Sequence, residues 1–119
     1  MIRLIFLTGL LCCPPMVAQC AEMTVADLQV TCAGADEGPQ NACRFYILGV
    51  ADGGSLAKGR QTVGGPLCIA PDIPGADLVR AVKRFMQIDL QHYPADKSLA
   101  AGGYVLGALM TAYPCPKSN

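Results

Sequence analysis

Four cysteines stand beyond residue 20 of this 119-residue chain, Cys32, Cys43, Cys68 and Cys115, and they constrain the fold more than any other feature. Oxidised thiols persist in oxidising compartments, so an exported chain with an even number of cysteines reads as a disulfide-stapled domain. Separations of 11, 25 and 47 residues lack zinc-finger spacing, and the sequence has neither CxxC nor CxxCH. Three pairings are open to four cysteines. Helix geometry favours Cys32 with Cys43 and Cys68 with Cys115, the pairs that two antiparallel helical hairpins bring to a common end.

Residues 1–20 carry the argument for export. Arg3 precedes an apolar run from Leu4 to Cys13, Pro14 and Pro15 end it, and small residues follow around Ala18 to Ala21. This is the three-part plan of a signal peptide, cleaved near 20/21, and the run is too short to span a bilayer. Val17-Ala18-Gln19-Cys20 loosely resembles a lipoprotein site and leaves a lipid anchor on Cys20 as an alternative, although Gln19 stands where a small residue belongs.

Residues 21–119 then form one domain, small enough for cross-links to matter. The whole chain holds nine Lys/Arg and nine Asp/Glu; loss of Arg3 with the signal leaves eight against nine, a net charge of −1. That balance favours neither nucleic acid nor an anionic membrane surface. Abundant Ala and Gly without Trp point to closely packed helices.

Thr24, with Asp27 three positions on, caps a first helix from about Val25 to Cys32, and Ala33-Gly34 with Asp36-Glu37-Gly38-Pro39 break it. A second helix from Asn41 sets Ala42, Phe45, Tyr46, Gly49 and Gly53 on one face, with Ile47, Leu48, Val50 and Ala51 over much of the rest. A helix apolar nearly all round is expected to be buried. From Gly53 to Pro74 the composition reads as a long loop pinned by Cys68. Gly54 to Gln61 mimics a phosphate loop, but Arg60 and Gln61 replace the required Lys and Ser/Thr.

Pro74 opens a third helix whose stripe Leu78, Val79, Val82, Phe85, Met86 lies opposite Arg80, Lys83, Arg84 and Gln87. His92-Tyr93-Pro94 closes it. Asp96 or Ser98 is expected to start a fourth helix over Leu99 to Tyr113. Its glycines cost about 1 kcal/mol each against alanine, so a second helix backbone should approach closely, within the domain or across a dimer. Gly103-x-x-x-Gly107 is no membrane dimerisation signature here, because Pro94 and Pro114 bound the segment too tightly. The fold class is therefore all-α: a small bundle of four helices in two antiparallel hairpins, stapled by two disulfides.

Catalytic motifs are missing. His92 is the sole histidine, Ser55 and Ser98 lack the surroundings of an activated nucleophile, and neither a metal nor a cofactor site is expected.

Asn41-Ala42-Cys43-Arg44-Phe45-Tyr46-Ile47-Leu48-Gly49-Val50-Ala51-Asp52-Gly53, then Cys68, then Leu78 to Met86, then Tyr113-Pro114-Cys115 resemble the Rap/Tai family of type VI secretion immunity proteins. The resemblance spans the chain from Cys32 to Cys115. It implies a small helical, often dimeric periplasmic protein, not an enzyme, that binds a peptidoglycan amidase toxin and blocks its cleft. Two positions depart from the family pattern, Tyr93 between His92 and Pro94 and the placement of Pro71, both in loops where toxin-facing surfaces vary. The charged and aromatic groups Arg80, Lys83, Arg84, Gln87, His92 and Tyr93 are the expected partner-binding residues. A periplasmic stress chaperone and a structural envelope protein without a toxin partner are the alternative functions.

Overall fold

The computed structural model describes residues 21–58 and 67–116. The expected signal peptide and Cys20, the alternative anchor position, lie outside those residues, as do Arg60 and Gln61 of the glycine-rich stretch.

The first helix, α1 (Val25–Ala33), begins at a complete capping box: Asp27 N–H donates to Thr24 Oγ1, and the Asp27 carboxylate accepts from the Thr24 amide at 3.0 Å. Two N-terminal donors are thereby satisfied. Gly34 turns the chain where a Cβ would stand 2.5 Å from Pro39 Cβ, a separation that only the missing side chain allows.

The second helix, α2 (Glu37–Lys58), starts four residues earlier and ends five later than its composition suggests. Pro39 does not delay it, because the first-turn amides have no intrahelical partner and nothing is lost when proline lacks one; Gln40 N–H already donates to Asp36 O at 3.2 Å. At the far end Gly53 and Gly54 are helical, so the expected loop does not begin at Gly53. Burial along α2 is one-sided. Cys43, Ile47 and Ala51, four apart, face the core, whereas Ala42, Phe45, Gly49 and Gly53 are exposed, with Phe45 at 68 %. The expectation of an all-round buried helix is thus corrected, since only one stripe of α2 finds apolar partners.

The third helix, α3 (Gly75–His92), follows Pro74 and buries Leu78, Val82, Met86 and Leu90 at every fourth position. A 3-10 turn (Pro94–Ser98) leads to α4 (Ala101–Ala112). Neither Asp96 nor Ser98 caps α4, contrary to expectation: Ser98 Oγ donates to Ala95 O inside the turn, and Leu99 and Ala100 are extended. The cap is supplied by backbone instead. Val25 N–H donates to Leu99 O at 3.0 Å and Ala101 N–H to Met23 O at 2.9 Å, so the first residues of α1 and α4 each use the segment preceding the other helix. No local side-chain signal encodes such an exchange.

The bundle is all-α, with four helices and two disulfides among the described residues. α1 packs chiefly on α2, α3 on α4, and α2 joins the two hairpins. Cys32–Cys43 clips the first hairpin and Cys68–Cys115 ties the entry of the second to its exit, with Cα–Cα separations of 5.0 and 4.8 Å. Beside the latter, Cys68 N–H donates to Tyr113 O at 3.0 Å. Leu28, Ile47, Leu109, Val25, Val82 and Val105 are the largest fully buried side chains. Each such residue contributes about 1.5–3 kcal/mol through removal from water.

Of the α4 glycines expected to admit a close neighbour, Gly102 has one among the described residues, since a Cβ there would touch Tyr46 Oη of α2 at 3.6 Å, and the tightest spots lie at glycines elsewhere. A Cβ on Gly54 would meet Leu106 Cδ1 at 2.9 Å and Leu67 Cδ2 at 3.1 Å, and one on Gly75 would meet Leu48 Cδ2 at 3.1 Å. Among the described residues, a Cβ on Gly103 or Gly107 would meet nothing within 4 Å.

Candidate partner-binding surface

With Leu78, Val82, Met86 and Leu90 turned inward, helical geometry sends Arg80, Lys83, Arg84 and Gln87 outward, and all four are exposed. They line one shallow depression together with Ala76 and Val79. Arg80 pairs with Asp77 at 3.0 Å, the one ion pair among the described residues, and both side chains are too well solvated for it to contribute much.

Lys83 has a second setting. It lines a groove of about 410 Å³ that runs between α3 and the first hairpin, past Cys32, Cys43, Asn41 and Arg44. The disulfide brings Arg44 there: Cys43 and Cys32 are buried, and pinning them together places the next residue of α2 at the groove edge. Arg44 was not singled out from the sequence as a contact residue. Its adjacency to Cys43 was the available signal, usable only once the packing of α3 against α2 was known.

On the other side of α3 a groove is lined by Phe85, Ile88, Ala108 and Tyr113, with Asp77, Arg80 and Arg84 on its α3 wall. Ile88 is 53 % exposed. Beneath this side, the buried Tyr104 donates its hydroxyl to Asp89 Oδ2 at 2.7 Å and meets Phe85 edge-on at a centroid distance of 5.5 Å. Burial raises the Tyr104 hydroxyl well above its usual range, and the hydrogen bond to Asp89 raises it further. Tyr46, partly buried on α2, is raised by burial and by the charge of Glu22.

The four α3 residues share the shallow depression, whereas His92 and Tyr93 stand at the C-terminal end of α3, roughly 7.5 Å of helix axis beyond Gln87. Both are exposed; His92 Nδ1 bonds Ile88 O at 2.9 Å, and the two rings are 6.5 Å apart. The proposed contact residues therefore form one compact group of four and a separate pair at the helix end.

Ser55 Oγ donates to Ala51 O and Ser98 Oγ to Ala95 O, so each hydroxyl bonds backbone instead of a base. No three His, Cys, Asp or Glu side chains converge as metal ligands among the described residues. No described helix is long and apolar enough to cross a membrane.

Comparison with known families gives one match: the model of the Rap1a immunity proteins covers residues 24–115. The span runs from the α1 cap to the last bridging cysteine and contains all four helices. No curated protein and no solved structure matches the chain.

Proposed function

Because the chain belongs to the family of Rap1a immunity proteins, we propose that it protects its producer by binding a peptidoglycan amidase toxin of a type VI secretion system in the periplasm and covering the toxin's active-site cleft. The observation that carries this reading is the family match over the whole described bundle. Membership in an immunity family implies a toxin partner and a role in binding instead of catalysis; the amidase class and the compartment extend that implication. The two disulfides support an oxidising compartment. The apolar run Leu4 to Cys13 supports export, with the mature domain beginning at Ala21 or Glu22.

Arg80, Lys83, Arg84 and Gln87 on α3, with His92 and Tyr93 at its end, are the proposed contact surface. Arginine and aromatic side chains on a rigid helix lose little freedom on docking, which favours them as anchors. A homodimer belongs to the same reading, as the family resemblance implies.

Production of a type VI peptidoglycan amidase from the producing organism, directed to the periplasm with and without this protein, tests the function. Protection from lysis is expected. Unchanged lysis despite soluble, oxidised protein would remove the immunity reading, whereas protection that survives alanine at Arg84 and Tyr93 together would remove only the choice of surface. Intact mass of the exported protein checks the start of the domain, and a diacylglyceryl group on Cys20 would contradict it.

A further inference from the structure

Charge is unevenly spread over this nearly neutral chain. Of the eight Lys/Arg beyond residue 20, four (Arg44, Arg80, Lys83, Arg84) line the depressions around α3. No carboxylate lines the groove between α3 and the first hairpin, the shallow depression along α3, or the depression toward Gln29 and Gly34. Lys83 is common to all three. Asp77 pairs with Arg80 and leaves Arg44, Lys83 and Arg84 without an ion pair among the described residues.

Two elements far apart in sequence supply the groove's cations, Arg44 from α2 and Lys83 from α3. Their separation is held by the Cys32–Cys43 bridge and by the packing of α2 on α3. Asn41 adds an exposed amide donor at the same edge. A rigid, concave, cation-lined surface favours carboxylates, and a preorganised pair of cations loses less on binding than two mobile ones.

We propose that the groove between Arg44 and Lys83 is the acidic-segment receptor of this protein: it takes a loop or strand of the toxin that presents two or more carboxylates, one to each cation. This rests on the immunity reading above and specifies the chemistry of the partner's contacting segment. Arg84 extends the same field along α3 and steers the partner toward the groove.

The test measures association of the full oxidised protein with the type VI amidase against which it protects in the lysis assay, at several salt concentrations, for wild type, for Lys83→Gln and for Arg44→Glu with Lys83→Glu. Far-UV circular dichroism and non-reducing mass analysis verify that each variant is folded and bridged. The double reversal should slow association by about tenfold or more and flatten its salt dependence, with Lys83→Gln intermediate, as expected for loss of electrostatic steering at a contact surface. Wild type that binds, with a folded double variant binding within about twofold at the same salt slope, would overturn the groove and leave the immunity function standing. Wild type that fails to bind would overturn both. A third arm adds soluble cell-wall fragments, whose peptide stems also carry free carboxylates. Lys83-dependent binding of those fragments with unchanged toxin binding would show that the groove serves the cell wall, and would overturn the proposal.

Discussion

The hydroxyl of Tyr104 on α4 reaches Asp89 on α3 at 2.7 Å and forms the polar tie between the two helices of the second hairpin. Its ring also packs edge-on against Phe85, whose other neighbours line the α3/α4 groove. Tyr104→Phe keeps the ring and removes the donor, leaving a half-buried carboxylate one partner short. We expect a loss of about 1–2 kcal/mol in urea unfolding at neutral pH.

Tyr104 also sets an alkaline limit. Its folded-state pKa lies above the unfolded value near 10.0, so the stability linked to the neutral hydroxyl is complete below about pH 10 and lost as pH rises toward the folded value. Wild type should therefore lose stability more steeply than Tyr104→Phe as pH rises above about 10. Parallel curves for the two proteins would show that Tyr104 does not set this limit. Tyr46, raised in the same direction, is present in both proteins and cancels in the comparison.

How much of this was legible in the sequence depends on where each signal is local. The α1 cap and the α3 stripe were readable, because Thr24 with Asp27 and the fourfold spacing of Leu78, Val82 and Met86 act within a few residues. Hairpin geometry ranked first the cysteine pairing that the structure shows, without settling it from sequence. The start of α4 was not readable, since its first amide is satisfied by Met23 O, a residue more than seventy positions away. Likewise Gly53 and Gly54 look identical in sequence, yet one faces solvent and the other faces Leu106 and Leu67. Of the proposed contact surface, the exposure of the α3 residues was legible from their periodicity. Arg44 was not, because only tertiary packing sets it beside Lys83.

Acid should weaken the α1 cap. Thr24 donates to the Asp27 carboxylate from both its side chain, at 2.7 Å, and its backbone, at 3.0 Å, and these bonds lower the Asp27 pKa below 3.8, the side-chain bond more than the backbone one. A depressed carboxylate contributes stability above its unfolded pKa and loses that contribution as pH falls through the folded value. Thr24→Ala should cost about 1 kcal/mol near neutral pH. The difference from wild type should narrow below about pH 4, where protonation removes the carboxylate's part. Thermal melts of both proteins at the two pH values check this, and a difference that widens in acid would contradict it.

Adjacent glycines provide a test of packing against propensity. At Gly53 a Cβ would meet nothing within 4 Å, so Gly53→Ala should stabilise α2 by about 0.5–1 kcal/mol through helix propensity. At Gly54 the same methyl would press on Leu106 Cδ1 at 2.9 Å and Leu67 Cδ2 at 3.1 Å, and moving both side chains at the α2/α4 contact offsets the gain. Denaturant midpoints should place Gly53→Ala above wild type and Gly54→Ala at or below it. The reverse order would mean that α2 and α4 are farther apart than described.

The two disulfides should differ in what they contribute. Cys32–Cys43 closes a loop of 11 residues, whereas Cys68–Cys115 closes one of 47 that encloses α3 and α4 entirely. Loop-closure entropy in the unfolded chain gives roughly 3 kcal/mol for the first and roughly 4 kcal/mol for the second. The shorter bridge, however, also forms the buried edge of the groove that carries Arg44 and Lys83. Replacing Cys68 and Cys115 by Ser should therefore lower global stability more, while replacing Cys32 and Cys43 by Ser should do more harm to toxin binding per unit of stability lost. Denaturant unfolding paired with association rates, measured where each variant is still folded, separates the two effects. If binding simply tracked stability in both variants, the short bridge would have no role in shaping the cationic groove.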